Sequence, residues 1–192
     1  GCATWTWEPR RKQYYLHNFL PQMPDLNFHN REVQDAILDV GRFWLDRGVD
    51  GFRLDTANYY CHDLQLRDNP PKPAEKRGDL PAAMQKHLYN ICQPETLGFL
   101  ARIRELTDSY EARFTVAEIG SANNLPRMLE YTHGTQRLHT AYSFLLLGDA
   151  LSADALNQVM APWQQGEGVL SWPSWAMSNH DTPRIASRWA QG

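Results

Sequence analysis

Gly48-Val49-Asp50-Gly51-Phe52-Arg53-Leu54-Asp55-Thr56-Ala57-Asn58 reads as a turn, a short buried strand from Gly51 to Leu54, and an open end carrying a charged pair. Alternate residues of a strand face the same way, so Arg53 and Asp55 share one side. A guanidinium so close favours the ionised form of a carboxylate, the form that can act as a nucleophile. The stretch alone permits a second reading, in which Asp55 caps a following helix and Arg53 is its structural partner. The flanking sequence decides between them.

Upstream, Asn30 is suited to cap a helix running from Arg31 to Arg47. Val33, Ile37, Val40 and Trp44 recur at helical spacing and predict its buried face. Gly48 stands where a helix-ending glycine belongs. Residues 1–30 are rich in aromatics and prolines with little periodicity, which predicts a packed loop region. Within it, Asp25 and Asn27 of Met23-Pro24-Asp25-Leu26-Asn27-Phe28 have short polar side chains suited to bonding backbone in a turn.

Downstream, Thr56 to Gln93 is a long connection punctuated by Pro70, Pro71, Pro73, Gly78 and Pro81. Its length and its position straight after Asp55 favour a lid. A helix starting near Pro94 presents Phe99, Ile103, Leu106 and Tyr110. A strand from Arg113 to Glu118 follows, then a turn at Gly120 and Asn123-Asn124 and a short helix from Leu125 to Tyr131. His139 to Leu146 reads as a buried strand, and Ser152 caps a helix reaching Met160. A last strand-like run, Trp172 to Ser178, leads into Asn179-His180-Asp181.

Alternating helices and apolar strands indicate parallel pairing and an α/β fold. No G-x-G-x-x-G follows any strand, which argues for part of a (β/α)8 barrel over a doubly wound nucleotide-binding sheet. Barrel enzymes carry their reactive groups at the carboxyl ends of the strands. Asp55, Glu118 and Asp181 all stand at such ends.

The composition narrows the partners. The 192 residues carry a formal charge of -3, with no basic stripe for nucleic acid and no apolar run long enough to span a membrane. Seven Trp and eight Tyr suit stacking on sugar faces, though cores use aromatics too. The three cysteines, Cys2, Cys61 and Cys92, lack metal-ligand spacing and read as buried or half-buried free thiols, which fits a reducing compartment. The chain starts at Gly1 without a signal-like segment and stops at Ala190-Gln191-Gly192, so it reads as a segment of a longer protein.

Hydrolysis of a glycosidic bond needs two carboxyl groups, one ionised and one protonated. Asp55 beside Arg53 fits the first. Glu118, at the end of an apolar strand, fits the second, because a desolvated carboxyl keeps its proton. No Ser or Cys sits on a nucleophile elbow, and no H-E-x-x-H zinc motif occurs. His180 and Asp181 are suited to binding sugar hydroxyls.

These stretches together resemble the α-amylase superfamily of glycoside hydrolases, and within it the bacterial α-glucosidases and oligo-1,6-glucosidases. Gly51-Phe52-Arg53-Leu54-Asp55 resembles the nucleophile strand and Phe114-Thr115-Val116-Ala117-Glu118 the acid/base strand, with Ala117 where the family more often has Gly. Ser178-Asn179-His180-Asp181 resembles the third-carboxylate motif, and Met23-Pro24-Asp25-Leu26-Asn27 the motif near the end of the inserted domain B. The resemblance covers the whole chain. It implies a partial (β/α)8 barrel, about strands 4 to 7, with residues 1–24 ending domain B and 25–192 forming the barrel segment.

The resemblance further implies a retaining mechanism. Asp55 is then the nucleophile, Glu118 the acid/base and Asp181 the stabiliser of the oxocarbenium-like state, with Arg53 and His180 binding substrate. It implies no cofactor and identifies no metal ligand in this segment. Thr56 suggests α-1,4-linked maltose and short oligosaccharides, with glucosyl transfer as a side activity. Related bacterial enzymes suggest a cytoplasmic location. A sugar isomerase or transglucosylase, an oligo-1,6-glucosidase, and a non-catalytic subunit like the amino-acid-transporter heavy chains are the alternatives.

Overall fold

The computed structural model describes residues 4–78, 81–120, 124–148, 152–164 and 171–189. Cys2, Asn123 and the terminal Ala190-Gln191-Gly192 lie outside them. The chain divides into two compact units, residues 1–36 with 58–96 and residues 37–57 with 97–192.

In the first unit, strands β1 (Trp5–Glu8) and β2 (Gln13–Leu16) form an antiparallel hairpin in which Trp7 pairs with Tyr14. Their rings meet edge to face at 5.1 Å, a cross-strand contact that steadies a ribbon too narrow to be stable alone. Asp25 accepts bonds from the backbone and side-chain nitrogens of Asn18, at 2.5 and 3.2 Å. Asn27 accepts from the His29 backbone. Both residues therefore shape turns, as their short polar side chains suggest.

Residues 58–96 do not form a structureless excursion. They pack with the N-terminal segment: Phe28 stacks on Tyr60 at 4.8 Å, and Asn90 donates to Asn18 at 3.0 Å. Asn69 accepts from the backbones of Leu88 and Tyr89 and donates to Asn90, stapling the two limbs of the loop. Cys61 is buried and Cys92 half-buried, both as free thiols.

The Arg67 side chain forks onto Asp63, with Nη2 to Oδ1 at 2.7 Å and Nε to Oδ2 at 3.0 Å, while the Arg67 backbone adds a third bond. These bonds, with the Arg67 charge, outweigh desolvation and hold the Asp63 carboxyl at about 2, below its ordinary 3.8. A carboxyl whose pKa is lower in the folded state stabilises that state fully above the unfolded value. The contribution is lost as pH falls toward the folded value. Urea unfolding of Asp63→Asn is therefore expected to show a flatter loss of stability between 3.8 and about 2 than the parent. An unchanged slope would remove the pair from acid unfolding.

Helix α1 (Arg31–Leu45) starts where Asn30 Oδ1 accepts the Glu32 N–H at 2.9 Å. It ends before Gly48, whose φ of +89° is a left-handed conformation that favours glycine. The predicted buried face is corrected. Leu38 and Leu45 are buried, whereas Val40 and Trp44 are about half exposed. Gly41 decides the orientation: a Cβ there would stand 3.0 Å from Leu106 Cδ2 and 3.9 Å from the Phe52 ring. Glycine adds nothing to an apolar pattern, yet it marks the side of closest approach.

The second unit is built on a parallel sheet of β3 (Gly51–Leu54), β4 (Phe114–Ile119), β5 (Thr140–Ser143) and β6 (Trp172–Pro173), hydrogen-bonded in that order. Helices α2 (Glu95–Asp108), α3 (Asn124–Thr132) and α4 (Ala153–Gln164) connect successive strands, and α5 (Ile185–Trp189) follows β6. Strand order matches chain order with no reversal. That is an arc of a singly wound (β/α)8 barrel, because a doubly wound sheet reverses at a switch point.

Phe99, Leu100, Ile103 and Leu106 of α2 are buried, as are Met128 and Tyr131 of α3 and Ile119 and Ala141 of the sheet. Fully burying one such large apolar side chain contributes about 1.5–3 kcal/mol.

Three strand expectations are corrected. The Gly51–Leu54 strand is half-buried because it lies at one end of the sheet. The expected His139–Leu146 strand is strand only to Ser143. The Ser143 side chain then accepts the Leu145 N–H and starts a 3-10 turn over Phe144–Leu146. The expected Trp172–Ser178 strand is strand only over Trp172–Pro173, with one further backbone bond from the Ser174 N–H to the Ala141 carbonyl.

Candidate active site

The register of the sheet assembles the site. Leu54 pairs with Ala117 and Glu118 with Tyr142, so Asp55, Glu118 and Tyr142 follow one another across the carboxyl ends of three strands. Arg53 joins them. Its Nη1 binds the Asp55 carboxylate, and its Nη2 lies 2.7 Å from Glu118 Oε2 and 2.8 Å from the Tyr142 hydroxyl. The two carboxylates differ in surroundings: the Asp55 side chain is 64% exposed and that of Glu118 only 4%.

Burial by itself would lower the Arg53 pKa. Hydrogen bonds to Tyr142 and Asp55, with the Glu118 charge, more than reverse this and raise it above its ordinary value. The guanidinium is thus a permanent cation shared by three oxygen groups. The Tyr142 phenol is pushed up as well, first by burial and then by Glu118, against the opposing effect of Arg53.

Thr56 completes the cradle. Its φ of +41° is left-handed, a conformation costing on the order of 1–3 kcal/mol in a residue with a branched Cβ. The turn aims its N–H at Glu118 Oε2, 3.2 Å away.

His180 and Asp181 lie on the loop after β6, 74% and 64% exposed, with Nε2 and Oδ1 3.5 Å apart. The Asp181 backbone and the Thr182 hydroxyl both donate to Asn179 Oδ1. Among the described residues, this pair makes no hydrogen bond or ion pair with Arg53, Asp55 or Glu118. The structure therefore brings together three of the five predicted site residues and leaves the other two as a separate exposed pair. Tyr142 was not anticipated, because within an apolar run a strand tyrosine reads as core.

A cavity of about 190 Å³ lies in the first unit, beside Trp5, Arg67, Asn69 and Tyr89. The Asn69 and Asn90 amides and the Asp63–Arg67 pair on its wall are engaged in bonds within this unit, and none of Asp55, Glu118 and Asp181 lines it. It does not compete with the strand-end cluster as a reactive centre.

The model of the alpha amylase catalytic domain matches residues 1–192. The chain belongs to the alpha-amylase catalytic-domain family. The catalytic domain of that family is a (β/α)8 barrel, and the four-stranded parallel sheet is part of one. Among curated relatives, the family member is 46% identical to a probable alpha-glucosidase of Rhizobium meliloti (strain 1021), over 100% of this chain and 36% of that protein. It is 35% identical to maltase A2 of Drosophila melanogaster, over 96% and 35%. Among solved structures, it superposes on an alpha-glucosyl transfer enzyme, XgtA, with a TM-score of 0.91 and 52% identity, covering 98% of this chain and 36% of that one. This alpha-amylase-family chain thus spans about a third of the length of the proteins it matches. Among its described residues, no helix is long and apolar enough to cross a membrane.

Proposed function

We propose that the protein is a retaining α-glucosidase that removes terminal α-1,4-linked glucose from maltose and short oligosaccharides. One observation carries the reading: a single guanidinium holds an exposed carboxylate and a buried carboxyl side by side at the ends of adjacent parallel strands. Two oxygens bound by one fork are close. Retaining glycosidases need carboxyls about 5–5.5 Å apart, whereas inverting enzymes need about 6.5–9.5 Å to admit a water.

In the first step an Asp55 oxygen attacks the anomeric carbon. The bond to the leaving oxygen breaks, and Glu118 gives that oxygen its proton. The product is a glucosyl ester on Asp55 and a Glu118 carboxylate. In the second step Glu118 takes a proton from water as the water oxygen attacks the same carbon, and the ester bond returns its electrons to Asp55. Two inversions restore the α-configuration. Asp181 stabilises the positive charge that develops at the anomeric carbon, and His180 holds a sugar hydroxyl.

A sugar hydroxyl replacing water in the second step gives glucosyl transfer, which the likeness to an alpha-glucosyl transfer enzyme supports. Residues 1–24 are the end of an inserted domain and 25–192 the barrel segment, with a lid-like loop at 56–93. The two free thiols favour the cytoplasm, and fractionation that recovers the protein elsewhere would remove that assignment.

The test is proton NMR of the full-length protein acting on p-nitrophenyl α-glucoside. The first glucose released is expected to be the α-anomer, and initial β-glucose would end the retaining reading. In the same assay maltose is expected to turn over faster than isomaltose, and the reverse order would reassign the linkage.

A further inference from the structure

Tyr142 is 7% exposed and sits opposite Glu118 in the parallel register of β4 and β5. A phenylalanine would fill this place in a buried strand at no polar cost. A hydroxyl buried there is unfavourable unless it is bonded, and this one is bonded. It accepts from Arg53 Nη2 at 2.8 Å. The same Nη2 lies 2.7 Å from Glu118 Oε2, so phenol and carboxyl share one guanidinium nitrogen. The Arg53 carbon stands 5.9 Å from the centre of the Tyr142 ring, so the close contact is made by the hydroxyl and not by the ring face.

We propose that Tyr142 is a positioning residue that orients the acid/base carboxyl of Glu118 through Arg53, whose Nη2 the two share, an inference that rests on the α-glucosidase reading above. Glu118 has two direct restraints, Arg53 on β3 and the Thr56 N–H after it. Tyr142 on β5 acts on it through Arg53, whose Nη2 it holds from the β5 side. Without its hydroxyl, Nη2 is no longer drawn toward β5, and the Glu118 carboxyl can turn away from the leaving oxygen. Asp55, held through Nη1, keeps its partner. The consequence is chemically selective: proton delivery suffers more than nucleophilic attack.

Substrates that differ in their need for a proton expose this selectivity. The sugar alkoxide leaving from maltose must be protonated, whereas fluoride leaving from α-glucosyl fluoride needs little help. In the full-length Tyr142→Phe variant, kcat/KM for maltose, which reports the first step alone, is expected to fall by about ten- to hundredfold, part of what a positioned general acid contributes. kcat/KM for α-glucosyl fluoride should change less than about threefold.

The ratio of the two rates, taken on one preparation, does not depend on how much of the variant is folded, so partial misfolding leaves the test intact. Equal losses on both substrates would reduce Tyr142 to a structural role, and an unchanged maltose rate would remove it from the site. If the parent protein turns over neither substrate, the α-glucosidase reading itself is overturned, and this inference falls with it.

Discussion

Asp55→Asn is expected to lower turnover of maltose by at least about 10⁴-fold, on the scale seen when a covalent nucleophile is removed from an enzyme. Asparagine keeps the shape of the side chain but cannot form the glucosyl ester, so the first step loses its bond-making partner. Stability should change little. Asp55 is 64% exposed, and exposed ion pairs contribute only about 0–1 kcal/mol. Arg53 also retains Glu118 and Tyr142 as partners.

A chemical rescue separates a nucleophile from a binding group. In Asp55→Ala, azide can enter the vacated space and attack the anomeric carbon of p-nitrophenyl α-glucoside from the Asp55 side. One inversion then gives β-glucosyl azide. Formation of that product would identify Asp55 as the attacking group. Residual activity within about a hundredfold of the parent, with no azide adduct, would reassign the nucleophile.

The second large effect is structural. A Cβ on Gly51 would stand 1.9 Å from the Phe114 carbonyl oxygen and 2.8 Å from its carbonyl carbon. Both atoms belong to backbone paired in the β3–β4 register, so no side chain can swing aside to make room. Gly51→Ala is therefore expected to destabilise the protein by more than about 3 kcal/mol, the upper range for overpacking. It should abolish activity, because this pairing brings Arg53 and Asp55 to Glu118. Denaturant unfolding and soluble yield measure the effect. A midpoint equal to that of the parent would show that the strands can separate locally without cost. Gly48→Ala makes the contrast: its added Cβ meets nothing within 4 Å, and the cost is confined to its left-handed φ.

The elements that carry the chemistry were legible because their signals are local. Asn30 as a cap, Gly48 as a stop and the apolar run Gly51–Leu54 each depend on residues a few positions apart. The strand ends at Asp55 and Glu118 could likewise be read one strand at a time, and so could the family likeness in the motifs that contain them. The exposed face of α1 was misread because Gly41, the residue of closest approach, has no hydrophobicity to register.

The amino-acid sequence by itself determined the parallel α/β architecture and the place of Asp55 and Glu118 at strand ends, since hydrophobic period, caps and turn residues act within one element. It did not determine the place of Asp181, which lies in the loop well beyond β6. Only the tertiary structure decided that one guanidinium serves both Asp55 and Glu118, that the first is exposed and the second buried, and that Tyr142 shares that guanidinium. The physical reason is the range of the interactions: Arg53 and Tyr142 are 89 positions apart and Thr56 and Glu118 are 62. Such contacts follow from strand register and side-chain direction, which exist only once the sheet has formed.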